Sequence, residues 1–137
     1  MQLKLRRAPE RDVLDAGSSS VIGLDLVAVG TGAPGAVAVI ESIGGTVLLS
    51  VVDADGQRGP SIPIDARVSP GARVTVPMAV APARCDPHAF AEDKQGTRFP
   101  VTVRLDGQHR VTLTVAADDS TRAALYDAIR RGCRLPG

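Results

Sequence analysis

The chain has no tryptophan and only three aromatic side chains, Phe90, Phe99 and Tyr126, among its 137 residues. That excludes a core organised on large rings, and it leaves little with which to stack the bases of a single-stranded nucleic acid. An excess of one charge is also missing: 16 basic and 15 acidic residues leave a formal charge of +1. Apart from Lys4-Leu5-Arg6-Arg7 and Arg130-Arg131 the cations are scattered, so no nucleic-acid partner is expected. No apolar run approaches the roughly 18 residues that a membrane-crossing helix needs, so no membrane span is expected in this chain. The lysine and arginines near Met1 are followed by Ala8-Pro9-Glu10-Arg11-Asp12 and not by an apolar stretch, so the N-terminus as written is not a signal peptide. Cysteine is scarce as well, with Cys85 and Cys133 alone.

What is present is aliphatic. Hydrophobic residues make up 44% of the chain, enough to rule out disorder by composition, and they are mostly Val, Ala, Leu and Ile. β-Branched side chains pack well on a pleated surface, so this mixture favours strands. Residues 1–20 read as a flexible lead-in or an edge strand at Gln2–Arg6. Residues 21–137 read as one domain.

Within that domain, short apolar runs alternate with turn residues. Strands are expected at Val21–Val29, Ala36–Glu41, Thr46–Val52, Ser61–Val68, Arg73–Val80, Phe99–Leu105 and Arg110–Ala116. In the fourth, Ile62, Ile64, Ala66 and Val68 share one face, and Pro63 points to an edge position because proline donates no ladder hydrogen bond. In the fifth, Val74, Val76, Met78 and Val80 share a face. Asp106-Gly107 is a strong hairpin turn and sets Phe99, Val101, Val103 and Leu105 against Val111, Leu113 and Val115, with Val101, Val103, Leu113 and Val115 as core residues. A helix is expected over residues 120–131, with N-caps offered by Asp118-Asp119-Ser120, a stripe of Leu125 and Ile129, and Gly132 as its C-terminal cap. The predicted fold is all-β: an immunoglobulin-like antiparallel sandwich of about seven strands with a short C-terminal helix.

The chemistry-bearing residues concentrate in Arg84-Cys85-Asp86-Pro87-His88-Ala89-Phe90-Ala91-Glu92-Asp93-Lys94, a polar connection between two strands. Asp86, His88, Glu92, Asp93 and Lys94 form the candidate functional loop. Three readings of the cysteines stand side by side. A Cys85–Cys133 disulfide would close a loop of roughly fifty residues and stabilise by about 4 kcal/mol in the chain-entropy model. A metal site built on Cys85 and His88 would lack the second closely spaced ligand pair of a structural zinc centre. Two unlinked thiols would suit a reducing compartment. A Cys85 nucleophile with His88 as base has no specified oxyanion hole, and no catalytic residue is assigned. Asp53-Ala54-Asp55-Gly56 begins like a calcium loop but meets Ile64 where the twelfth-position glutamate belongs, so it reads as a turn. No cofactor is expected.

The stretch from Arg84 to Lys94, continued by Gly96-Thr97-Arg98-Phe99, resembles a Cys-Asp-x-His-x-x-x-Glu/Asp-x-Lys motif in an uncharacterised family of exported actinobacterial proteins. There a hairpin and a C-terminal cysteine follow, here Cys133. The resemblance covers about residues 72–133 and implies export and a disulfide, but no activity. The expected function is a non-catalytic exported binding or structural domain, extracytoplasmic or cell-surface, whose partner is an unknown protein or envelope component. The alternative is a metal-binding or thiol-dependent enzyme using Cys85 and His88.

Overall fold

The structure is a computed structural model that describes residues 1–13, 21–32, 35–83, 96–105 and 109–133. Among these residues nine strands and one α-helix follow in order: β1 (Gln2–Arg7), β2 (Ile22–Val29), β3 (Ala38–Gly44), β4 (Leu49–Val52), β5 (Arg58–Gly59), β6 (Ser61–Val68), β7 (Arg73–Pro82), β8 (Arg98–Leu105), β9 (His109–Ala116) and α1 (Asp119–Cys133). A single 3-10 turn, Pro9–Arg11, lies between β1 and β2. One sheet has the order β1-β2-β7-β4-β5 and the other β6-β3-β8-β9, with every strand pair antiparallel. A lone parallel bridge between Leu5 and Ala117 brings the β1 edge of the first sheet to the end of β9 in the second.

The fold is therefore all-β and sandwich-like, with nine strands among the described residues where about seven were expected. One strand outside those seven is β1, at the place of the edge strand offered for Gln2–Arg6, and it pairs with β2 from Gln2↔Val29 to Arg7↔Leu24. The other is the two-residue β5, too short to carry a hydrophobic period. The edge position predicted from Pro63 holds among the described residues, where β6 pairs with β3 alone.

Alternation accounts for the core. Phe99, Val101 and Val103 of β8 are fully buried and Val115 of β9 nearly so, in the register Phe99↔Val115, Val101↔Leu113 and Val103↔Val111. Leu113 corrects the sequence reading: β9 is the outer strand of its sheet, and there Leu113 is only half-buried. The third predicted strand starts later than expected, at Leu49. Thr46 Oγ1 accepts from the backbone N–H of Leu48 and of Leu49, both at 3.1 Å, and this holds residues 46–48 in a turn.

In β3, both Ile40 and Ile43 are fully buried, although alternation allows only one of them on the inner face. The register against β8 explains this. It passes from Ile40↔Val103 to Ser42↔Thr102, so Glu41 is an extra, bulged residue.

The helix begins where Asp118 Oδ1 accepts from the Thr121 backbone N–H at 2.8 Å. Leu125, Ala128 and Ile129 are buried on one face, which packs on β7 and β1. The helix runs on through Gly132 to Cys133, past the predicted stop.

Candidate functional site

Asp86, His88, Glu92, Asp93, Lys94 and Cys85 all fall outside the described residues. The structure does give the frame from which that connection departs and to which it returns. On the departing side, the Ala83 backbone N–H donates to the Leu48 carbonyl at 2.8 Å. On the returning side, Thr46 Oγ1 donates to the Gly96 carbonyl at 2.8 Å, and Gly96 lies so close to the Leu48 side chain that a methyl group there would collide with it. One short turn, Thr46–Leu48, thus holds both ends. Cys133, the other predicted disulfide partner, is half-buried at the end of α1 and packs against the core.

The charged residues of the described parts form two structural clusters that the sequence reading did not single out. The first surrounds Asp25, on the outer face of β2. Arg11 Nη2 donates to Asp25 Oδ1 at 2.7 Å and to the Leu24 carbonyl, and Arg6 Nη2 donates to Asp25 Oδ2 at 3.3 Å. Burial of Asp25 opposes ionisation, but the hydrogen bonds and positive charges of Arg11 and Arg6 outweigh it and hold the carboxyl below its ordinary range. Beside it, Asp12 accepts from Arg7 Nη2 at 2.7 Å and from the Gly23 backbone N–H at 2.8 Å. The 3-10 turn is therefore clamped onto β2, and β2 is buried on both faces.

The second cluster lies on the outer face of the four-stranded sheet. Arg104 and Arg110 stand directly opposite each other on β8 and β9, where two like charges repel. The bulge aims Glu41 at both. Arg110 Nε donates to Oε1 at 2.6 Å, and Arg104 Nη1 to Oε2 at 3.4 Å. The hydrogen bond from Arg110 chiefly lowers the Glu41 carboxyl's pKa and raises that of Arg110 itself.

Neither cluster leaves a group poised for proton transfer, because each carboxylate is engaged by guanidinium groups. Among the described residues no three His, Cys, Asp or Glu side chains gather to hold a metal, and no helix is long and apolar enough to cross a membrane. The Asp53–Gly56 stretch is a turn, with Asp53 Oδ1 accepting from the backbone N–H of Asp55 and Gln57 at 2.9 and 2.8 Å and Gly56 in a left-handed conformation.

The concave feature of most chemical interest is a groove of about 670 Å³ between β6 and β7. Its walls are Ile62 and Ile64 on one side and Val76 and Met78 on the other. Asp53 and Asp55 of the β4–β5 turn stand on its rim, as does Arg11. Ile62, Ile64 and Val76 are half-buried, so their apolar surface is partly in contact with water. Single positions such as these could be predicted as strand residues, but the groove itself follows from how far β4 extends, which the sequence pattern does not set.

No protein-family model matches the chain, and no curated protein matches it. Among solved structures it is similar to the Northeast Structural Genomics Consortium target SoR45, known from an X-ray structure, at 9% identity and a TM-score of 0.39, over 85% of this chain and 86% of that one.

Proposed function

We propose that the chain is a non-catalytic, exported domain of immunoglobulin-like type that binds a partner at the cell envelope. The observation that carries this reading is the groove between β6 and β7. It is apolar-walled, rimmed by charge and within the size range of ligand sites, while the carboxylates of Asp25 and Glu41 are engaged by arginines in holding strands together. Export is supported by the motif resemblance and by the cysteine positions. Cys133 ends a helix packed on β7, and β7 ends at Pro82, three residues before Cys85. Three residues span about 10 Å at most, so a Cys85–Cys133 bond would tie the helix to the strand on which it already packs.

Thiol titration of the native protein, with and without reductant and alongside metal analysis, tests this reading. The result expected is no reactive thiol before reduction, two after it, and no bound metal. Two reactive thiols in the native protein, or stoichiometric zinc, would replace the exported binding domain with a metal or thiol centre at Cys85 and His88.

A further inference from the structure

We propose that the half of β7 beside the groove accepts an extended segment of a partner protein as an added strand. This rests on the reading of the chain as a binding domain, and it names the site and the class of ligand.

Pairing of β7 is lopsided. On one side β2 accompanies it from Arg73 to Val80. On the other, β4 pairs only with Ala79–Pro82, so from Arg73 to Met78 no strand among the described residues pairs on that side. Across the groove, β6 is likewise paired on one side only among the described residues, with β3. Two strand edges that meet no further strand among the described residues therefore flank one apolar trough. A membrane or a compact apolar molecule would leave those N–H and C=O groups unmet, whereas an extended peptide supplies a matching ladder.

The side chains fit the same occupant. Ile62 and Ile64, and Val76 and Met78, recur at every second residue, the spacing at which an extended chain presents one face. Pro77 lies within the half-paired part of β7, where a missing N–H removes no bond to β4. At the rim the carboxylates of Asp53 and Asp55 favour a basic residue at one end of the peptide, while Arg11 at the rim is already held by Asp25. The ligand class is thus a protein segment with alternating apolar residues and a terminal lysine or arginine.

The test uses the intact chain, labelled with ¹⁵N, and a capped seven-residue peptide that alternates valine and threonine and carries lysine at one end. Saturating peptide is expected to slow hydrogen exchange at least tenfold at amides within Arg73–Met78. Ile64→Asp, and as a milder change Ile62→Ser, should each weaken binding at least tenfold. Glu41→Gln, on the outer face of the other sheet, should leave it unchanged. Replacing the peptide's lysine with glutamate should weaken it. Unchanged exchange at Arg73–Met78 would overturn the proposal, as would protection confined to β1 or β5. Strong protection, in the free monomer, of the amides in that span that do not bond to β2 would overturn it by assigning the edge to another segment of this chain, and peptide-independent dimerisation through β7 would assign it to a second copy. Failure of the peptide in a protein whose thiols are paired and metal-free would remove this site and leave the broader reading standing.

Discussion

Arg11 and Asp25 meet at 2.7 Å on the outer face of β2, joining the 3-10 turn of the N-terminal segment to a strand buried on both sides. The same Arg11 Nη2 reaches the Leu24 carbonyl, so one guanidinium satisfies both a side chain and the backbone beside it. Asp25→Ala would leave Arg11 and Arg6 facing each other without their carboxylate. The expected loss is about 1–2 kcal/mol, toward the lower end for charge-assisted bonds because Arg6 is half exposed. Urea unfolding of the two proteins measures it.

Acid should weaken the fold by the same route. Asp25, Glu41 and Asp118 all have carboxyl groups held below their ordinary values. Burial resists ionisation at Asp25 but is outweighed by Arg11 and Arg6; the Arg110 hydrogen bond dominates at Glu41, and the Thr121 backbone bond at Asp118. For groups shifted in that direction, the stabilisation is complete above the unfolded carboxyl pKa near 4 and disappears as pH falls through the lower folded value. The melting temperature should therefore decline below about pH 4. In Asp25→Asn that decline should be shallower, and a slope identical to that of the parent protein would contradict the role assigned to Asp25.

Gly23 tests the clamp from the backbone side. A Cβ at this position would lie 2.6 Å from the Ala8 carbonyl oxygen and 2.8 Å from the Arg11 Cβ. Those atoms belong to the turn that the Arg11–Asp25 pair holds down, so the turn must move to admit even a methyl group. Gly23→Ala is expected to cost about 1–3 kcal/mol and to raise protease sensitivity near Arg11. A variant as stable as the parent would show that the turn rests loosely on β2.

Val103 tests the register of the second sheet. It is fully buried and sits opposite Val111. Val103→Ala should cost about 2–3 kcal/mol, and Val103→Asp should abolish a cooperative melt because an unpaired carboxylate would lie in the core. Leu113→Asp, at a half-buried position on an outer strand, should be the milder of the two aspartate variants.

Where side chains alternate strictly, the sequence foretold the structure closely. Ser61–Val68 forms β6 over the predicted span, and Phe99, Val101 and Val103 point inward as the pattern around Asp106-Gly107 requires. The misses have physical causes. The cluster of Arg11, Asp12 and Asp25 is not legible in the sequence because its pairing joins residues that no local period relates. The bulge at Glu41 was hidden because an extra residue breaks the period of two; the adjoining pair of buried isoleucines, Ile40 and Ile43, was the available clue. The helix passed its glycine to Cys133 because packing of Leu125 and Ile129 outweighs the modest cost of one glycine near a helix end. The groove was illegible for a similar reason, since it depends on β4 ending at Val52 while β7 continues beyond their last pair. The predicted loop residues from Cys85 to Lys94 lie outside the described structure.

If Cys85 and Cys133 are joined, Cys85→Ser, Cys133→Ser and the double variant should lose similar stability, on the order of 2–5 kcal/mol, because all three remove one bond. Losses that add in the double variant would mean that the two thiols act separately. His88→Ala should lower stability modestly without changing metal content, which metal analysis of both proteins checks.

The most direct measurement is a tryptic digest of the native protein under non-reducing conditions, read by mass spectrometry. Cleavage after Arg84 and Lys94 releases the peptide from Cys85 to Lys94, and cleavage after Arg131 and Arg134 releases Gly132-Cys133-Arg134. The account of an exported, disulfide-closed binding domain predicts that these two peptides appear as one cross-linked species that separates on reduction. Recovery of both as free thiols from protein kept under oxidising conditions, with zinc bound before digestion, would contradict it.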